Sequence, residues 1–165
     1  MKKAEYWIKK LQLKPHPEGG FFKEIYRSET KLSEKSLPTR YSGNRDAVTS
    51  IYYLLKGKEI SKFHRLKSDE IWHYFTGSPL TIHILTNTGT YQKVTLGPDI
   101  EKNMSFQCVI KHDQWFGATV DDTSFFTLVG CTVAPGFDFN DFELANKIDL
   151  IKQYPSHSDI INRLT

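Results

Sequence analysis

The stretch GKEISKFHRLKSDEIWHYFTG, residues 57–77, decides the fold. Residues 70–75 are rich in β-branched and aromatic residues, which favour strands, and residues 60–66 form a second short run of β type. The polar residues 67–69 between them favour a turn. Gly57 and Gly77 mark further turns at the two ends of the stretch. The sequence therefore predicts two adjacent strands, with His64 on the first strand lying close to Glu70 on the second.

Similar short runs occur at even spacing along most of the chain. The other predicted strands are residues 21–28, 48–55, 80–85, 91–96, 106–110 and 125–133. The segment TNTGT, residues 86–90, is a hairpin signal because Asn and Gly tolerate positive φ. About eight strands with no helices between them favour a sandwich or a barrel over alternating βα units.

Helical periodicity is confined to the two ends of the chain. Trp7, Ile8 and Leu11 repeat at helical spacing within residues 1–14, and Pro15 ends this helix. In residues 140–165 we predict Asn140 as an N-cap, with Glu143 at position N3, followed by two short helices. Residues 29–46 are rich in Ser, Lys, Thr, Gly and Pro, and they form either the lid or rim of a site or a mobile surface loop.

Composition excludes several classes of protein. The 165 residues suffice for one domain, and 22 Lys and Arg against 19 Asp and Glu give a net charge of +3 without a basic cluster. We therefore expect no nucleic-acid partner. No apolar run approaches the length of a membrane span, and the first ten residues lack the apolar core of a signal peptide. The two cysteines have no ligand-like spacing, so a soluble cytoplasmic protein with free thiols is the expectation.

Strand alternation groups the candidate functional side chains. Glu70, Trp72 and Tyr74 share one face of their strand, and His73 lies on the other. On residues 21–28, Glu24 and Tyr26 share a face with Phe22 and Ser28. A His and a Glu among aromatic rings inside a barrel suit acid–base chemistry. The alternative is that His64 packs in a core while Glu70 pairs with Arg65 or Lys67 at the surface.

The other histidines have ordinary explanations. His16 lies between two prolines and His157 lies in a polar turn, so both are expected at the surface. His83 alternates on a strand, where it would be buried with partners or half exposed, and His112 falls in a turn.

The spacing of residues 57–77 resembles the first motif of the cupin superfamily, which runs Gly, about five residues, His-x-His, three or four residues, Glu, six residues, Gly. The segments PHPEGG (15–20), YRS (26–28) and GCTVAPGF (130–137) resemble the uncharacterised cupin-5 proteins, and the likeness spans nearly the whole chain. It implies a mainly β fold, a double-stranded β-helix or jelly-roll barrel over residues 21–134 in a single domain 1–165. It also implies a ligand cavity in the barrel mouth and a homodimer.

Cupin metal sites usually draw three His and one Glu from two motifs, and this chain departs from that set. Leu66 replaces the second His of the first motif, and Phe116 replaces the His of the second motif. Two remaining ligands, His64 and Glu70, rarely hold a transition metal. We therefore predict no metal ligand set and no cofactor, unless a bulge turns His73 inward as a third ligand.

Residues 18–26 also resemble the first strand of the metal-free cupins that epimerise nucleotide sugars, whose catalytic base falls at His64. That resemblance implies His64 as the base. Epimerisation also needs an acid on the opposite face of the substrate, for which Tyr74 or Tyr26 is the candidate, and we expect Glu70 to orient His64 or tune its charge. From strand alternation we expect Glu24, Tyr26 and Trp72 to bind the ligand, and Trp115 to form either a further part of the cavity wall or core. Gly19 stands where those enzymes place a phosphate-binding arginine, which favours an unphosphorylated sugar or carbonyl compound as substrate.

The predicted function is a metal-independent isomerase or epimerase that binds a small sugar-like or carbonyl compound. Two alternatives remain open from the sequence. One is a metal-dependent cupin, either a dioxygenase or an isomerase. The other is a binding module for a sugar or small acid that has no catalytic activity.

Overall fold

The computed structural model describes residues 2–165, which fold mainly as β-strands with helices at both ends. The strands are β1 (Lys14–Pro15), β2 (Phe21–Arg27), β3 (Lys31–Leu32), β4 (Arg45–Asp46), β5 (Thr49–Lys56), β6 (Ile60–Leu66), β7 (Asp69–Gly77), β8 (Leu80–Leu85), β9 (Tyr91–Leu96), β10 (Gln107–Ile110), β11 (Trp115–Val120), β12 (Phe126–Ala134) and β13 (Phe142–Leu144). The helices are α1 (Ala4–Leu11), α2 (Lys147–Gln153) and α3 (Ser158–Arg163).

Two antiparallel sheets face each other. The six-stranded sheet has the order β1-β2-β5-β12-β7-β10, and the five-stranded sheet has the order β13-β6-β11-β8-β9. Between them lies an apolar core that includes Tyr53, Trp72, Ile82 and Phe116. Alternate residues of each strand point into this core, which is the usual arrangement of a two-sheet sandwich. The predicted mainly β jelly roll with terminal helices is confirmed.

The helices cover the outer faces of the sheets. Helix α1 packs on the six-stranded sheet near Leu54 and Leu128. Helices α2 and α3 pack on the five-stranded sheet, where Phe63 and Trp115 meet Ile161. Within residues 2–165, no helix has both the length and the apolar character needed to cross a membrane.

The C-terminal helix begins later than the sequence predicts. Asn146, rather than Asn140, caps α2, and its side-chain oxygen accepts hydrogen bonds from the backbone N–H groups of Ile148 and Asp149. Residues 142–144 are extended because they pair with β6 and cover its open edge. Strand β11 was not among the predicted strands, although it is the central partner of both β6 and β8.

The long loop between β2 and β5 is anchored to the body of the protein. The hydroxyl of Tyr41 donates a hydrogen bond of 2.8 Å to the backbone oxygen of Lys67. The guanidinium of Arg45 donates two hydrogen bonds, of 2.6 and 2.7 Å, to the carboxylate of Asp141, and both side chains are buried. These contacts attach the loop to the turn after β6 and to the segment before β13.

Candidate functional site

A cavity of about 280 Å³ opens between the two sheets at one end of the sandwich. Its polar wall includes residues of the turn before β2 and residues of both sheets. These are His16, Glu18, Glu24, Arg27, His64 and Glu70, and the rings of Phe22, Phe137, Phe139 and Phe142 complete the wall. The cavity therefore combines several ionisable groups with an aromatic mouth.

A β-bulge in β6 builds the floor of the cavity. His64 pairs with Phe116 and Ser61 pairs with Ala118, so that residues 62 and 63 lie together opposite Gly117. Simple alternation would place Ser61 and His64 on opposite faces, but the bulge turns both of them inward. A Cβ atom on Gly117 would lie 2.7 Å from the backbone oxygen of Ser61, so the strand at the bulge approaches too closely for any other residue without a shift.

Glu18 is held against this bulge by both its backbone and its side chain. The N–H of Lys62 donates a 3.0 Å hydrogen bond to the backbone oxygen of Glu18. The hydroxyl of Ser61 donates a 3.0 Å hydrogen bond to Oε1 of Glu18, and Oε2 lies 3.1 Å from Nε2 of His64. Gly19 follows at φ 114°, with a Cβ position only 2.2 Å from the oxygen of Ile60, so glycine is required for the turn to bring Glu18 inside.

His64 shares a proton with Glu18. Nδ1 of His64 lies 2.7 Å from the backbone oxygen of Lys62, and a carbonyl only accepts hydrogen bonds, so Nδ1 carries a hydrogen. At the 3.1 Å separation, the contact between Nε2 and the carboxyl of Glu18 is a hydrogen bond with one proton between the two atoms. Phe116 fixes the imidazole from one side, with the ring centroids 4.1 Å apart. Glu18 is therefore the carboxyl that contacts His64, a role that the sequence assigned to Glu70.

His16 is buried beside the same carboxyl, although its flanking prolines predicted a surface position. Its Nδ1 accepts a 3.3 Å hydrogen bond from the N–H of Glu18 and lies 3.8 Å from Oε2 of that residue. Its ring packs edge-on against Phe22, with the centroids 4.5 Å apart. Burial lowers the pKa of His16, and nearby His64 acts in the same direction, while Glu18 opposes them. His16 therefore favours the neutral form.

Glu70 reaches the cavity from the other sheet. It lies on β7 of the six-stranded sheet, whereas His64 lies on β6 of the five-stranded sheet. Burial raises the pKa of Glu70 to about 8, and the negative charge of Glu18 adds to this rise. Oε2 of Glu70 is buried without a hydrogen-bond partner among the described residues. Glu70 is therefore a carboxylic acid that keeps its proton at neutral pH.

A second bulge changes which residues of β2 face the cavity. Glu24 pairs with Ile51 and Tyr26 pairs with Ser50, so Ile25 is the extra residue. Glu24 lines the cavity as expected, but beyond the bulge the alternation reverses. Arg27 joins the wall in place of Tyr26, whose side chain is 53% exposed.

Three aromatic residues proposed from the sequence lie away from the cavity wall. Trp72 is buried in the core between the sheets, where its ring meets Tyr53 and Phe116 edge-on. Tyr74 lies further along β7, and its hydroxyl donates a 2.6 Å hydrogen bond to the backbone oxygen of Gly77. Trp115 packs under the C-terminal helices because Phe116, its neighbour on β11, takes the inward position.

Arg27 and the three phenylalanines of the 137–142 segment form the mouth of the cavity. The Arg27 guanidinium donates hydrogen bonds of 3.0 and 2.7 Å to the two carboxylate oxygens of Glu24, and one of 2.6 Å to Asp46. Its Nη1 also donates a 3.2 Å hydrogen bond to the backbone oxygen of Phe137. Phe137 and Phe139 pack edge-on with centroids 5.0 Å apart, and Phe139 is 65% exposed.

Residues 5–145 match the model of the family Cupin_5, which is described as cupin superfamily (DUF985). The chain belongs to this cupin family. An uncharacterized protein of Saccharomyces cerevisiae is 29% identical over 154 residues, which cover 88% of this chain and 76% of the yeast protein. Among solved structures, protein SO0799 of Shewanella oneidensis is 37% identical with a TM-score of 0.90. The alignment spans 100% of this chain and 98% of SO0799. A hypothetical protein from Leishmania major is 35% identical with a TM-score of 0.89, covering 99% of both chains.

More distant cupins share the fold. Oxalate decarboxylase from Bacillus subtilis aligns with 92% of this chain and 36% of its own length, at 12% identity and a TM-score of 0.56. KdgF from Halomonas sp. aligns with 78% of this chain and 91% of its own, at 12% identity and a TM-score of 0.52.

The residues present in this cupin do not fit the four-ligand metal set of the superfamily. Leu66 lines the cavity where that set has its second His, and Phe116, which packs against His64 with the rings tilted by 57°, stands where it has its third. His73 and Glu70 lie on opposite faces of β7. No bulge separates them, because residues 70–73 pair one by one with residues 133–130 of β12. Within residues 2–165, no group of three or more His, Cys, Asp or Glu side chains has the geometry to hold a metal ion.

Proposed function

We propose that this cupin catalyses proton transfer at the carbon next to a carbonyl group, as an isomerase or epimerase of a small sugar-like or carbonyl compound. The Glu18–His64 pair acts as the base and Glu70 acts as the acid. The proposal keeps the reaction expected from the sequence and His64 as part of the base. It assigns the orienting role to Glu18 and the acid role to Glu70 instead of a tyrosine.

One observation carries this proposal. A hydrogen-bonded carboxyl–imidazole pair lines one side of the cavity, and a buried carboxylic acid with a pKa of about 8 lines the wall formed by the other sheet. Two titratable sites whose environments give them different protonation states at one pH are the usual basis of acid and base roles in one cavity. Tyr74 is a weaker candidate for the acid because its hydroxyl is bonded to Gly77.

In the reaction the substrate lies between the two walls. One proton lies between Nε2 of His64 and the carboxylate of Glu18, and an oxygen of Glu18 accepts a second proton from the carbon next to the carbonyl, whose C–H electron pair passes to the carbonyl oxygen as an enolate. His64 is then a cation with hydrogen on both nitrogens, and its Nδ1–H bond to the backbone oxygen of Lys62 stabilises that charge. Glu70 then gives its proton to the opposite face of the same carbon, which inverts the configuration, and both groups return to their resting forms by exchange with water.

The test is incorporation of solvent deuterium. The protein is incubated with neutral aldoses and ketoses in deuterated water, and label at the carbon next to the carbonyl is followed by proton NMR. We expect label with the wild type and a loss of at least about 100-fold in His64→Ala and Glu18→Gln, since a positioned base contributes about 10²–10⁴-fold. Tyr74→Phe is the matched control and should retain the rate. Label that is unchanged in both His64→Ala and Glu18→Gln would show that the pair is not the base.

A binding module without catalysis is the second candidate. It is favoured by the contacts of Glu18, because both carboxylate oxygens already have partners in Ser61 and His64. Such a module would bind a ligand to saturation and incorporate no label, and Glu18→Gln would then change affinity alone.

We also propose that the protein is a homodimer. Three large apolar residues on strands of the six-stranded sheet, Tyr26, Phe75 and Val109, are each about half exposed, which is typical of a surface that pairs with another chain. Light scattering coupled to size-exclusion chromatography tests this, and a mass of 19.1 kDa would identify a monomer.

A further inference from the structure

The cationic side chains of the cavity wall are already neutralised by carboxylates. Four of the five N–H donors of Arg27 are used, two of them by Glu24, one by Asp46 and one by the backbone oxygen of Phe137. The second carboxylate oxygen of Asp46 pairs with Lys31 at the surface. The Arg27 guanidinium therefore lacks the two free N–H groups that would bind a carboxylate or phosphate group of a ligand through a pair of parallel hydrogen bonds.

The two histidines of the wall are occupied in the same way. His64 is bonded to Glu18 through Nε2 and to a backbone oxygen through Nδ1. His16 accepts a hydrogen bond through Nδ1, lies 3.8 Å from the same carboxylate and favours its neutral form. Neither ring offers an unpaired positive charge to a ligand.

Carboxyl groups outnumber these cations. Glu18, Glu24, Glu70 and Asp138 all line the cavity. An anionic ligand would lose its water shell on entry and would meet negative or paired groups instead of a free cation. Burying a charge without a partner is strongly unfavourable.

We infer that the cavity selects an uncharged polyhydroxy carbonyl compound, a free aldose or ketose, and rejects its carboxylate and phosphate derivatives. This inference rests on the proposed function for the carbonyl group and adds the charge of the substrate. Carboxylate oxygens accept hydrogen bonds from sugar hydroxyls, and the negative faces of the phenylalanine rings at the mouth suit the C–H groups of a sugar ring. The cavity volume of about 280 Å³ lies just below the usual range of ligand pockets, which favours a small ligand such as a single sugar.

The experiment compares matched ligands by calorimetry at fixed salt. The probes are glucose, galactose and mannose, each with its uronic acid and its 6-phosphate. We expect the neutral member of at least one set to bind at least about tenfold more tightly than its two anionic relatives, which corresponds to one lost charged hydrogen bond. Equal or tighter binding of an anionic relative would overturn the inference, and so would a failure of all three neutral sugars to bind.

A charge variant provides the second arm. Glu24→Gln removes one carboxylate from Arg27 and frees part of its guanidinium towards the cavity, so uronate affinity should rise at least about tenfold. In the double variant Glu24→Gln with Arg27→Gln the gain should disappear. Glu143→Gln is the matched control, because Glu143 also pairs with an arginine, Arg65, but lies outside the cavity. A rise in uronate affinity that survives removal of Arg27 would contradict the role given to this residue.

The binding data separate the two proposals. Tight binding of neutral sugars without incorporation of deuterium would support the charge selectivity and contradict catalysis. Incorporation of deuterium into a uronate or a sugar phosphate, with none into neutral sugars, would support proton transfer and overturn the charge selectivity.

Discussion

Ser61 and His64 lie three residues apart on one β-strand, yet both side chains contact the carboxyl group of Glu18, at 3.0 and 3.1 Å. The bulge of β6 opposite Gly117 makes this possible, because it turns both side chains to the inner face. The geometry of the candidate base therefore depends on a backbone irregularity as much as on the three side chains.

Gly117→Ala tests this dependence. The added methyl group would lie 2.7 Å from the oxygen of Ser61 and 3.2 Å from the nitrogen of Phe63, both of which are backbone atoms. We expect the free energy of unfolding to fall by about 1–3 kcal/mol, as for other overpacked sites. Deuterium incorporation should fall as well, because relief of the clash separates Ser61 and His64 from Glu18.

Chemical denaturation measures the loss of stability, and Gly89→Ala is the control. Gly89 has no atom within 4 Å of its Cβ position, but its φ is 86°. This variant should lose stability through backbone strain while it retains deuterium incorporation. Equal losses of incorporation in the two variants would contradict a special role for the bulge.

The regular parts of the fold could be predicted from local sequence, because alternation and turn residues are local signals. Strands β6, β8 and β9 have the predicted bounds. The start of the C-terminal helix could not be predicted in this way. Asn140 and Glu143 carry the local signal of a helix start, but residues 142–144 pair with β6, a contact distant in sequence, and the helix begins only after Asn146.

The candidate site was predictable only where alternation is uninterrupted. Glu24 and Glu70 reach the cavity wall from strand positions that alternation identifies. Tyr26 does not, because the extra residue Ile25 exchanges the inner and outer faces for the rest of β2. Nothing in the local sequence marks that bulge. Glu18 and His16 lie in a turn to which no periodicity applies. The pair Gly19-Gly20 was their only signal, since it indicates a turn that packs closely against another segment.

The buried ion pair between the long loop and the 137–142 segment should dominate the stability of the cavity mouth. Arg45 donates two hydrogen bonds to Asp141, and both side chains are at most 3% exposed. Asp141→Asn leaves a buried guanidinium without its counterion, so we expect a loss of about 3–5 kcal/mol in the free energy of unfolding. The exposed pair Arg65–Glu143 is the control, and Glu143→Gln should cost less than about 1 kcal/mol. Equal costs by urea denaturation would contradict this difference.

A metal site should form when histidine is placed at the two positions, Leu66 and Phe116, where metal-binding cupins have it. Leu66 lines the cavity, and the ring of Phe116 packs against that of His64. The double variant Leu66→His with Phe116→His supplies three imidazoles and the carboxyl of Glu70, which is the ligand set of metal-binding cupins. We expect stoichiometric binding of Ni²⁺ by calorimetry in the double variant and much weaker binding in either single variant. Binding that is equally weak in all three would show that the backbone no longer has the geometry of that site.

Burial of Glu70 should make the protein less stable as pH rises. The pKa of this carboxyl is raised from 4.5 to about 8, so between these values the folded state binds more protons than the unfolded state. The free energy of unfolding therefore falls with pH across this window, by an amount on the order of a few kcal/mol. Glu70→Gln removes this contribution and should show a flatter profile in denaturation at pH 5 to 9. The exposed Glu101→Gln should follow the wild type, and identical profiles for all three proteins would contradict a raised pKa.

The same titration should limit catalysis on the alkaline side. Above a pH of about 8, Glu70 loses its proton and can no longer act as the acid, so deuterium incorporation by the wild type should fall. The amide of Glu70→Gln donates a hydrogen bond at every pH but cannot transfer a proton. This variant should therefore incorporate label slowly, with no alkaline decline near pH 8. A merely structural role for Glu70 predicts a lower rate with the same decline, so an alkaline limb that persists in Glu70→Gln would assign the acid to another group.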